Sequence, residues 1–329
     1  TLLASSAASD VYKRQGQNRG LKNFVWLVQK HGKIRIQVGT MHKKMQRICK
    51  MRRNNKMALL QVNFFSECLL RTVQIRVILP AEGRVYGKEQ PFKTLYLLHG
   101  ILGNDTDWIS GTRIARWAEE RNLAVVMPAG ENHFYVDCEA TGEKYGEFIG
   151  KELVETTRKM FPLSRQREDT FIAGLSMGGY GALRNGLKYW ETFGAVAALS
   201  GALILERARN SDESSKEFIW NRRYYTGVFG DLDRLSGSDK DCEALVRNLK
   251  EQKADIPSLY LCCGTEDDLL KQNREFAELL KELEVPFTYE EGPGKHDWDF
   301  WDTYIKKVLE WLPLEGEVDR ISSGNVKRD

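Results

Sequence analysis

Gly174-Leu175-Ser176-Met177-Gly178 stands between a short apolar segment at 169–173 and a helix-like segment at 180–187. A Gly-x-Ser-x-Gly pentapeptide in this setting predicts a sharp strand-to-helix turn that presents the serine hydroxyl at the top of a sheet. Gly174 and Gly178 are expected because larger side chains beside the serine would collide in so tight a turn. The helix that follows would favour negative charge at its N-terminus.

A serine hydroxyl is a weak nucleophile, so a site built on Ser176 also requires a general base and a group that orients this base. His296 is our candidate base, because its Gly/Pro-rich loop follows a predicted strand and can reach across to the serine. Asp267 is our candidate acid, because it follows a buried strand at the sheet edge where α/β proteins carry their chemistry. Glu266 and Asp268 stay open as alternatives, since either could instead cap the next helix. The chain order serine, acid, histidine is that of the α/β-hydrolases.

Attack on a carbonyl carbon places negative charge on its oxygen, so the site should also contain fixed N–H donors, an oxyanion hole. The backbone of Met177, directly after the serine, is the first expected donor. The second is expected from the loop 99–104, which follows an early apolar strand. We select the backbone of Ile101, with Leu102 as the neighbouring alternative, and expect His99 to hold this loop.

Residues 204–238 interrupt the alternation of strands and helices and are charged, then aromatic. They predict a small cap that shapes the substrate pocket; a surface excursion with its own small core is the alternative. His99, Leu102, Trp108 and Trp298 flank the motif loops and are our candidates for lining the pocket. Aromatic side chains are, however, more often ordinary packing.

The pattern of apolar segments predicts the α/β class, since strands and helices alternate from residue 94 onward. We expect an α/β-hydrolase fold: a mostly parallel sheet of about eight strands, helices on both faces and a small cap insert. An antiparallel pair should form its N-terminal edge, because 70–79 alternates with period two. The predicted strands are 60–66, 70–79, 94–99, 123–128, 169–174, 194–200, 257–263 and 286–291. The predicted helices are 112–121, 146–160, 177–189, 240–252, 269–284 and 299–311.

The charge of the 329 residues divides sharply at Met57. Residues 1–56 carry 14 Lys and Arg and one acid, a net charge of +13, whereas the remainder carries 35 Lys and Arg against 45 acids, a net charge of −10. We interpret 1–56 as a basic leader that is disordered or arises from spurious upstream translation. A nucleic-acid-binding arm or a transit peptide is the alternative. The hydrolase domain is then 57–314, followed by a polar tail at 315–329.

The composition also limits the kinds of partner and cofactor that we expect. No run of about 18 apolar residues is present, so we expect no membrane span. The six cysteines lack metal-ligand spacing and fit a reducing cytosol. We therefore expect a cytoplasmic protein with a small-molecule substrate and without metal, cofactor or nucleic acid, and leave self-association open.

Four motifs resemble, in this order, those of the esterase D-like family of α/β-hydrolases: 97–104, 174–182, 263–267 and 296–298. The likeness covers about residues 57–314, and within the family the chain looks most like bacterial tributyrin esterases and rumen feruloyl esterases. The basic leader departs from the family pattern.

The resemblance implies a serine carboxylesterase that acts on short-chain acyl or hydroxycinnamoyl esters through an acyl-enzyme, without metal or cofactor. It supports Ser176, Asp267 and His296 at matching positions. The family also contains S-formylglutathione hydrolases, whose corresponding loop usually lacks the His99-Gly100 pair. A thioesterase of that kind, or an acyltransferase on the same triad, is the alternative function.

Overall fold

The structure, a computed structural model, describes residues 26–30, 33–37, 57–80, 84–85, 88–89, 91–214 and 219–314. The chain divides into two units, Thr1–Asn54 and Asn55–Asp329. In the first unit, β1 (Trp26–Lys30) and β2 (Lys33–Gln37) form an antiparallel hairpin. The rest of the predicted leader and the predicted tail 315–329 lie outside the described residues.

A mixed sheet of eight strands forms the centre of the second unit. Its strands are β3 (Met57–Ser66), β4 (Arg71–Pro80), β7 (Thr94–Leu98), β8 (Ala124–Pro128), β9 (Thr170–Leu175), β10 (Ala195–Leu199), β11 (Ser258–Gly264) and β12 (Phe287–Gly292). Their order is β12-β11-β10-β9-β7-β8-β4-β3. Along this order, the six strands from β12 to β8 run parallel to their neighbours. The strand β4 pairs antiparallel with β8 on one side and with β3 on the other. A separate short pair is formed by β5 (Arg84–Val85) and β6 (Lys88–Glu89).

Helices enclose the sheet from both sides. They are α1 (Asp107–Gly111), α2 (Ile114–Glu120), α3 (Tyr145–Glu147), α4 (Leu153–Met160), α5 (Met177–Lys188), α6 (Leu205–Arg209), α7 (Arg222–Phe229), α8 (Cys242–Glu251), α9 (Leu270–Glu282) and α10 (Trp298–Trp311). A π-helical turn at Phe148–Glu152 joins α3 to α4, and short 3₁₀ turns lie at Arg167–Asp169 and Leu232–Arg234.

The side chains of β7 show why this architecture forms. Tyr96 and Leu98 pack into one apolar cluster, whereas Leu95 and Leu97 pack into another on the opposite face. Successive strand residues point to opposite faces, so a continuous apolar run can be buried only if both faces are covered. The α/β-hydrolase fold predicted from the sequence is confirmed.

Two local differences from the predicted elements are instructive. The helix expected at 112–121 begins only at Ile114 and is preceded by a separate helix, Asp107–Gly111, that was not predicted. The insert 204–238 contains α6 and α7, and its described apolar side chains belong to the main cluster and not to a separate core. Phe229 packs against Phe134 and Tyr180, with ring centroids 5.2 and 6.1 Å apart, so the insert joins the main apolar cluster.

A buried cation fixes the helix that follows the pentapeptide. Arg184 is fully buried on α5, forms an ion pair with Asp239 and donates from Nε to the Asp239 carbonyl at 2.9 Å. Lys188 pairs with the same carboxylate. Partial burial alone would raise the pKa of Asp239, but the attraction of Arg184 together with the hydrogen bond and charge of Lys188 outweighs burial, and the pKa is lowered. Within the described part of the chain, no helix combines the length and apolar character needed to cross a bilayer.

The first prediction concerns pH and the free energy of unfolding. Because the pKa of Asp239 is lower in the folded state, its stabilisation is complete above the unfolded pKa of about 4 and is lost as the pH falls below it, through the lower folded-state pKa. Asp239→Asn should therefore destabilise the protein at pH 7 and flatten this acid limb, measured by urea unfolding across the pH range. The control is Glu251→Gln, at an exposed helix end. An unchanged acid limb in Asp239→Asn would contradict the prediction.

Candidate active site

Ser176 sits in a strained turn between β9 and α5. Its φ of 53° and ψ of −118° lie in a region that residues with a side chain rarely adopt. Neighbouring segments hold it there: its N–H donates to Leu199 O at 2.9 Å, and its carbonyl accepts from Tyr180 N at 3.0 Å and Ala202 N at 2.9 Å. Ser176 is buried, at 7% exposure.

The two glycines of the pentapeptide permit this turn. A Cβ added at Gly174 would lie 2.3 Å from the carbonyl oxygen of Gly178. A Cβ added at Gly178 would lie 2.4 Å from the carbonyl oxygen of Leu98, on the neighbouring strand β7. Both obstacles are backbone atoms, which cannot move aside as a flexible side chain can.

His296 joins Ser176 to Asp267. Its Nε2 lies 2.9 Å from Ser176 Oγ, and its Nδ1 lies 2.8 Å from Asp267 Oδ2. The imidazole is one-third exposed, whereas the aspartate side chain is fully buried. Trp301 packs edge-on against the imidazole, with ring centroids 4.9 Å apart, and limits its orientations.

Asp267 is the carboxylate that faces the histidine; Glu266 and Asp268 are exposed. Its Oδ1 accepts the Leu269 N–H at 2.8 Å, so the two oxygens have different partners. Burial alone would raise the pKa of Asp267, but the hydrogen bonds from His296 and the Leu269 amide outweigh burial and lower the pKa. The carboxylate therefore stays ionised and can stabilise a charged imidazolium beside it.

The loops that carry the acid and the base are bonded to each other. Thr265 N donates to Gly292 O at 2.9 Å, and Glu266 N donates to Gly294 O at 3.0 Å. Gly294 has φ +146° and its carbonyl lies so near Gly264 that a Cβ there would approach it to 2.4 Å. These contacts fix the acid relative to the base although 29 positions separate the two residues.

The two expected oxyanion donors adjoin the serine. Met177 is the first residue of α5, where a backbone N–H has no acceptor within the helix. Gly100 brings the second loop alongside, since a Cβ added there would lie 3.6 Å from Ser176 Cβ. The Leu102 N–H donates to Asn132 Oδ1 at 2.8 Å, whereas the Ile101 N–H has no hydrogen-bond partner among the residues described. The geometry thus favours Ile101 over Leu102.

The predicted pocket-lining residues differ in their surroundings. His99 is buried; its Nδ1–H donates to Gly100 O at 2.7 Å and its Nε2 accepts the Gly130 N–H at 2.8 Å. Burial lowers the pKa of His99, which keeps the ring neutral. Trp108 is also buried and donates from Nε1 to Leu98 O at 2.9 Å. Both side chains support the site from beneath, so their burial does not favour the predicted pocket-lining role.

Leu102 and Trp298 offer surface to a ligand. Leu102 is 70% exposed, and Trp298 is partly buried with its ring edge-on to Trp108, the centroids 5.7 Å apart. The cap insert approaches the same region through Tyr224, whose hydroxyl donates to Asn132 O at 2.7 Å.

Sequence reasoning missed three residues that brace the site. Asn132 holds the Leu102 amide as described above. Asn273 on α9 accepts the Gly201 N–H at 3.1 Å and donates to Gly201 O at 2.9 Å. Ser200, with φ 48°, accepts from Trp301 Nε1 at 3.2 Å. The signal for Asn132 and Ser200 is their place just beyond the carboxyl ends of β8 and β10; nothing in the sequence singles out Asn273.

In the part of the chain that the structure describes, no group of three or more His, Cys, Asp and Glu side chains is placed to hold a metal ion. What the arrangement offers is a hydroxyl bonded to an imidazole, a carboxylate behind that imidazole and N–H groups beside the hydroxyl. Such a constellation can attack a carbonyl carbon and stabilise the resulting oxyanion.

Comparison with known proteins agrees with this constellation. The family model described as "Putative esterase" matches residues 66–312, so the chain belongs to this esterase family. An acetyl esterase of Caldicellulosiruptor saccharolyticus is 46% identical over 261 residues, which cover 78% of this chain and 98% of that protein.

Two solved structures from Staphylococcus aureus share the fold. The fluorophosphonate-binding serine hydrolase FphF matches with a TM-score of 0.71 at 31% identity, covering 78% of this chain and 98% of FphF. The S-formylglutathione hydrolase FrmB matches with a TM-score of 0.69 at 32% identity, covering 78% and 99%. The chain is a serine carboxylesterase of the α/β-hydrolase fold, as the sequence predicted; the finer likeness to tributyrin esterases stays a prediction.

The second prediction tests the turn at Ser176. Gly174→Ala should cost about 2 kcal/mol of unfolding free energy or more, because its methyl group meets the Gly178 backbone. Gly227→Ala is the matched control: it lies in α7 with nothing within 4 Å of the added Cβ, and should stabilise by up to about 1 kcal/mol. Urea unfolding measures both. Equal stabilities for the two variants would show that the turn tolerates a side chain.

Proposed function

We propose that the protein hydrolyses short-chain acyl esters through an acyl-enzyme formed on Ser176. The observation that carries the proposal is the continuous chain of hydrogen bonds from Ser176 Oγ through His296 to Asp267, at 2.9 and 2.8 Å. The carboxylate accepts a hydrogen bond from the Nδ1–H group, so the proton stays on Nδ1 and Nε2 is unprotonated and directed at the serine hydroxyl. His296 is thus in the tautomer that a general base requires.

The reaction has two steps. As Ser176 Oγ attacks the ester carbonyl carbon, its proton passes to His296 Nε2, and the N–H groups of Ile101 and Met177 hold the oxyanion. When the tetrahedral intermediate collapses, the carbon–oxygen ester bond breaks and the alcohol leaves with that proton. Water then attacks the acyl-enzyme, His296 takes a proton from the water, and the carboxylic acid leaves as Ser176 recovers its proton.

A small acyl group is the substrate class that we favour. The match to the acetyl esterase, at 46% identity, extends over nearly the whole length of that enzyme. This likeness supports an acetyl or similarly short acyl group as the substrate. Leu102, which is exposed, lies in the loop that adjoins Ser176, and the partly buried Trp298 packs against Trp301 beside His296, so both could contact an acyl or alcohol group. Feruloyl ester hydrolysis is the alternative within the same reaction. The likeness to FrmB supports a second candidate, hydrolysis of a small acyl thioester such as S-formylglutathione.

We further propose that 57–314, with 204–238 as a cap insert, is the complete catalytic domain, because every residue assigned a role lies within it. The basic segment 1–56 would then be dispensable for catalysis, and no nucleic acid would take part. The cysteine content supports action in the cytoplasm.

The third prediction tests the nucleophile. Ser176→Ala should abolish turnover of p-nitrophenyl acetate and reaction with a fluorophosphonate probe, while the thermal midpoint stays near that of the wild type. Ser258→Ala is the control: it removes an exposed hydroxyl at the start of β11, and should keep wild-type turnover and full labelling. Retention of wild-type turnover by Ser176→Ala would refute the assignment.

The fourth prediction tests the substrate class. We expect kcat/KM to be highest for p-nitrophenyl acetate and to fall at least about tenfold by the octanoate ester, since one extra methylene is worth about 1–3 kcal/mol in a pocket that it does not fit. Methyl ferulate and S-formylglutathione are measured beside them. A preference for methyl ferulate would favour the feruloyl esterase alternative, and a preference for S-formylglutathione the thioesterase.

A further inference from the structure

The loop 130–135, which follows β8, holds the loop 99–104, called the oxyanion loop below, at three points. Gly130 N–H donates to His99 Nε2 at 2.8 Å, and the Tyr135 hydroxyl donates to His99 O at 2.9 Å. Asn132 Oδ1 accepts the Leu102 N–H at 2.8 Å. The first two bonds fix the start of the oxyanion loop, whereas the bond from Asn132 acts just beyond Ile101.

Both loops contain backbone that would not persist alone. Leu102 has φ +63°, and Glu131, Phe134 and Tyr135 have φ between +49° and +57°. Residues with side chains stay in this region only where surrounding contacts hold them. The bond between Leu102 and Asn132 joins the two strained segments directly.

This bond determines which N–H group is available to a substrate. The Leu102 N–H is occupied by Asn132, so the peptide between Ile101 and Leu102 is turned towards the loop 130–135. The preceding N–H, that of Ile101, is left without a partner among the described residues. Without the acceptor on Asn132, Leu102 could leave its strained φ, and the Ile101 N–H beside it would move.

The loop is itself held from two other sides. His133 stacks on Tyr145, with ring centroids 4.7 Å apart and planes 14° from parallel. On the cap side, the Tyr224 hydroxyl donates to the Asn132 carbonyl at 2.7 Å. Tyr224 lies in the first turn of α7, where its own N–H donates to the N-cap Asn221 Oδ1 at 2.8 Å. A shift of the cap is therefore transmitted to Asn132.

We propose that Asn132 is a positioning residue that sets the Ile101 N–H in the oxyanion hole, and that Tyr224 couples the cap insert to it. The inference rests on the proposed function, because it assumes that Ile101 is an oxyanion donor. Neither residue contacts the reacting atoms. They contribute by placing the Ile101 N–H, which stabilises the transition state more strongly than it stabilises the bound substrate.

The first experiment compares oxo and thiono esters on the full-length protein. Asn132→Leu keeps the side-chain size but removes the acceptor; it should lower kcat on p-nitrophenyl acetate about 10- to 100-fold, leave KM within about threefold and leave the thermal midpoint near wild type. Asn132→Ala, which adds no bulk, should behave alike. Asn63→Leu, on the exposed edge strand β3, is the control and should match the wild type.

The thiono comparison separates positioning from general damage. A thiocarbonyl sulfur is larger and accepts hydrogen bonds weakly, so an intact oxyanion hole should favour the oxo ester, and this preference should shrink in both Asn132 variants. Wild-type enzyme without an oxo preference would overturn the oxyanion assignment itself. A clear wild-type preference that both variants retain, with unchanged kcat, would overturn only the role of Asn132. Loss of folded protein in both variants would make Asn132 structural and also refute the positioning role.

The second experiment tests the coupling by a double-mutant cycle. Tyr224→Phe should lower kcat about three- to tenfold in the wild-type background and less than twofold in the Asn132→Leu background. Tyr189→Phe is the control, because Tyr189 lies just beyond the end of α5 that is remote from Ser176. It should leave kcat unchanged in both backgrounds. Losses that multiply across the two sites would show that Tyr224 acts independently of Asn132 and would overturn the coupling.

Discussion

The strained backbone at Ser176 is the constraint on which the rest of the structure depends. A serine at φ 53° is held by hydrogen bonds to Leu199, Tyr180 and Ala202, and these come from the next strand, the following helix and a later loop. The turn therefore exists only when β9, β10 and α5 are already packed. The same turn places Met177 at the first position of α5, where the N–H has no acceptor within the helix, so the proposed nucleophile and one proposed oxyanion donor arise from a single local conformation.

Two bonded pairs of loops flank this turn. On one side, the loops that carry Asp267 and His296 are joined backbone to backbone and kept close by Gly264 and Gly294. On the other side, the oxyanion loop is joined to the loop 130–135 through side chains. A proton transfer needs the acid and base at fixed distances, and oxyanion stabilisation needs fixed N–H groups, so rigid loops serve both. Among the described residues, the cap is bonded to the second pair through the Tyr224 hydroxyl and the Asn132 carbonyl.

Some polar side chains in the interior stabilise the fold, whereas others belong to the candidate active site. Arg184 and Asp239 anchor α5 far along the helix from Ser176, and they need no contact with substrate. His99 is neutral and bonded through both ring nitrogens, so it supports a loop and cannot also exchange protons. Of the histidines that the structure describes, His296 is the one placed between a hydroxyl and a carboxylate.

The sequence by itself determined the α/β-hydrolase fold, because apolar runs and the Gly-x-Ser-x-Gly pentapeptide follow local rules of strand, turn and helix formation. It also singled out Ser176, Asp267 and His296, since each follows a predicted strand at the same edge. Only the tertiary structure separated Asp267 from its acidic neighbours, favoured the Ile101 amide over that of Leu102 and joined the insert to the main core. These outcomes depend on which way a side chain or a peptide turns when distant loops meet, and no local pattern of residues encodes that direction.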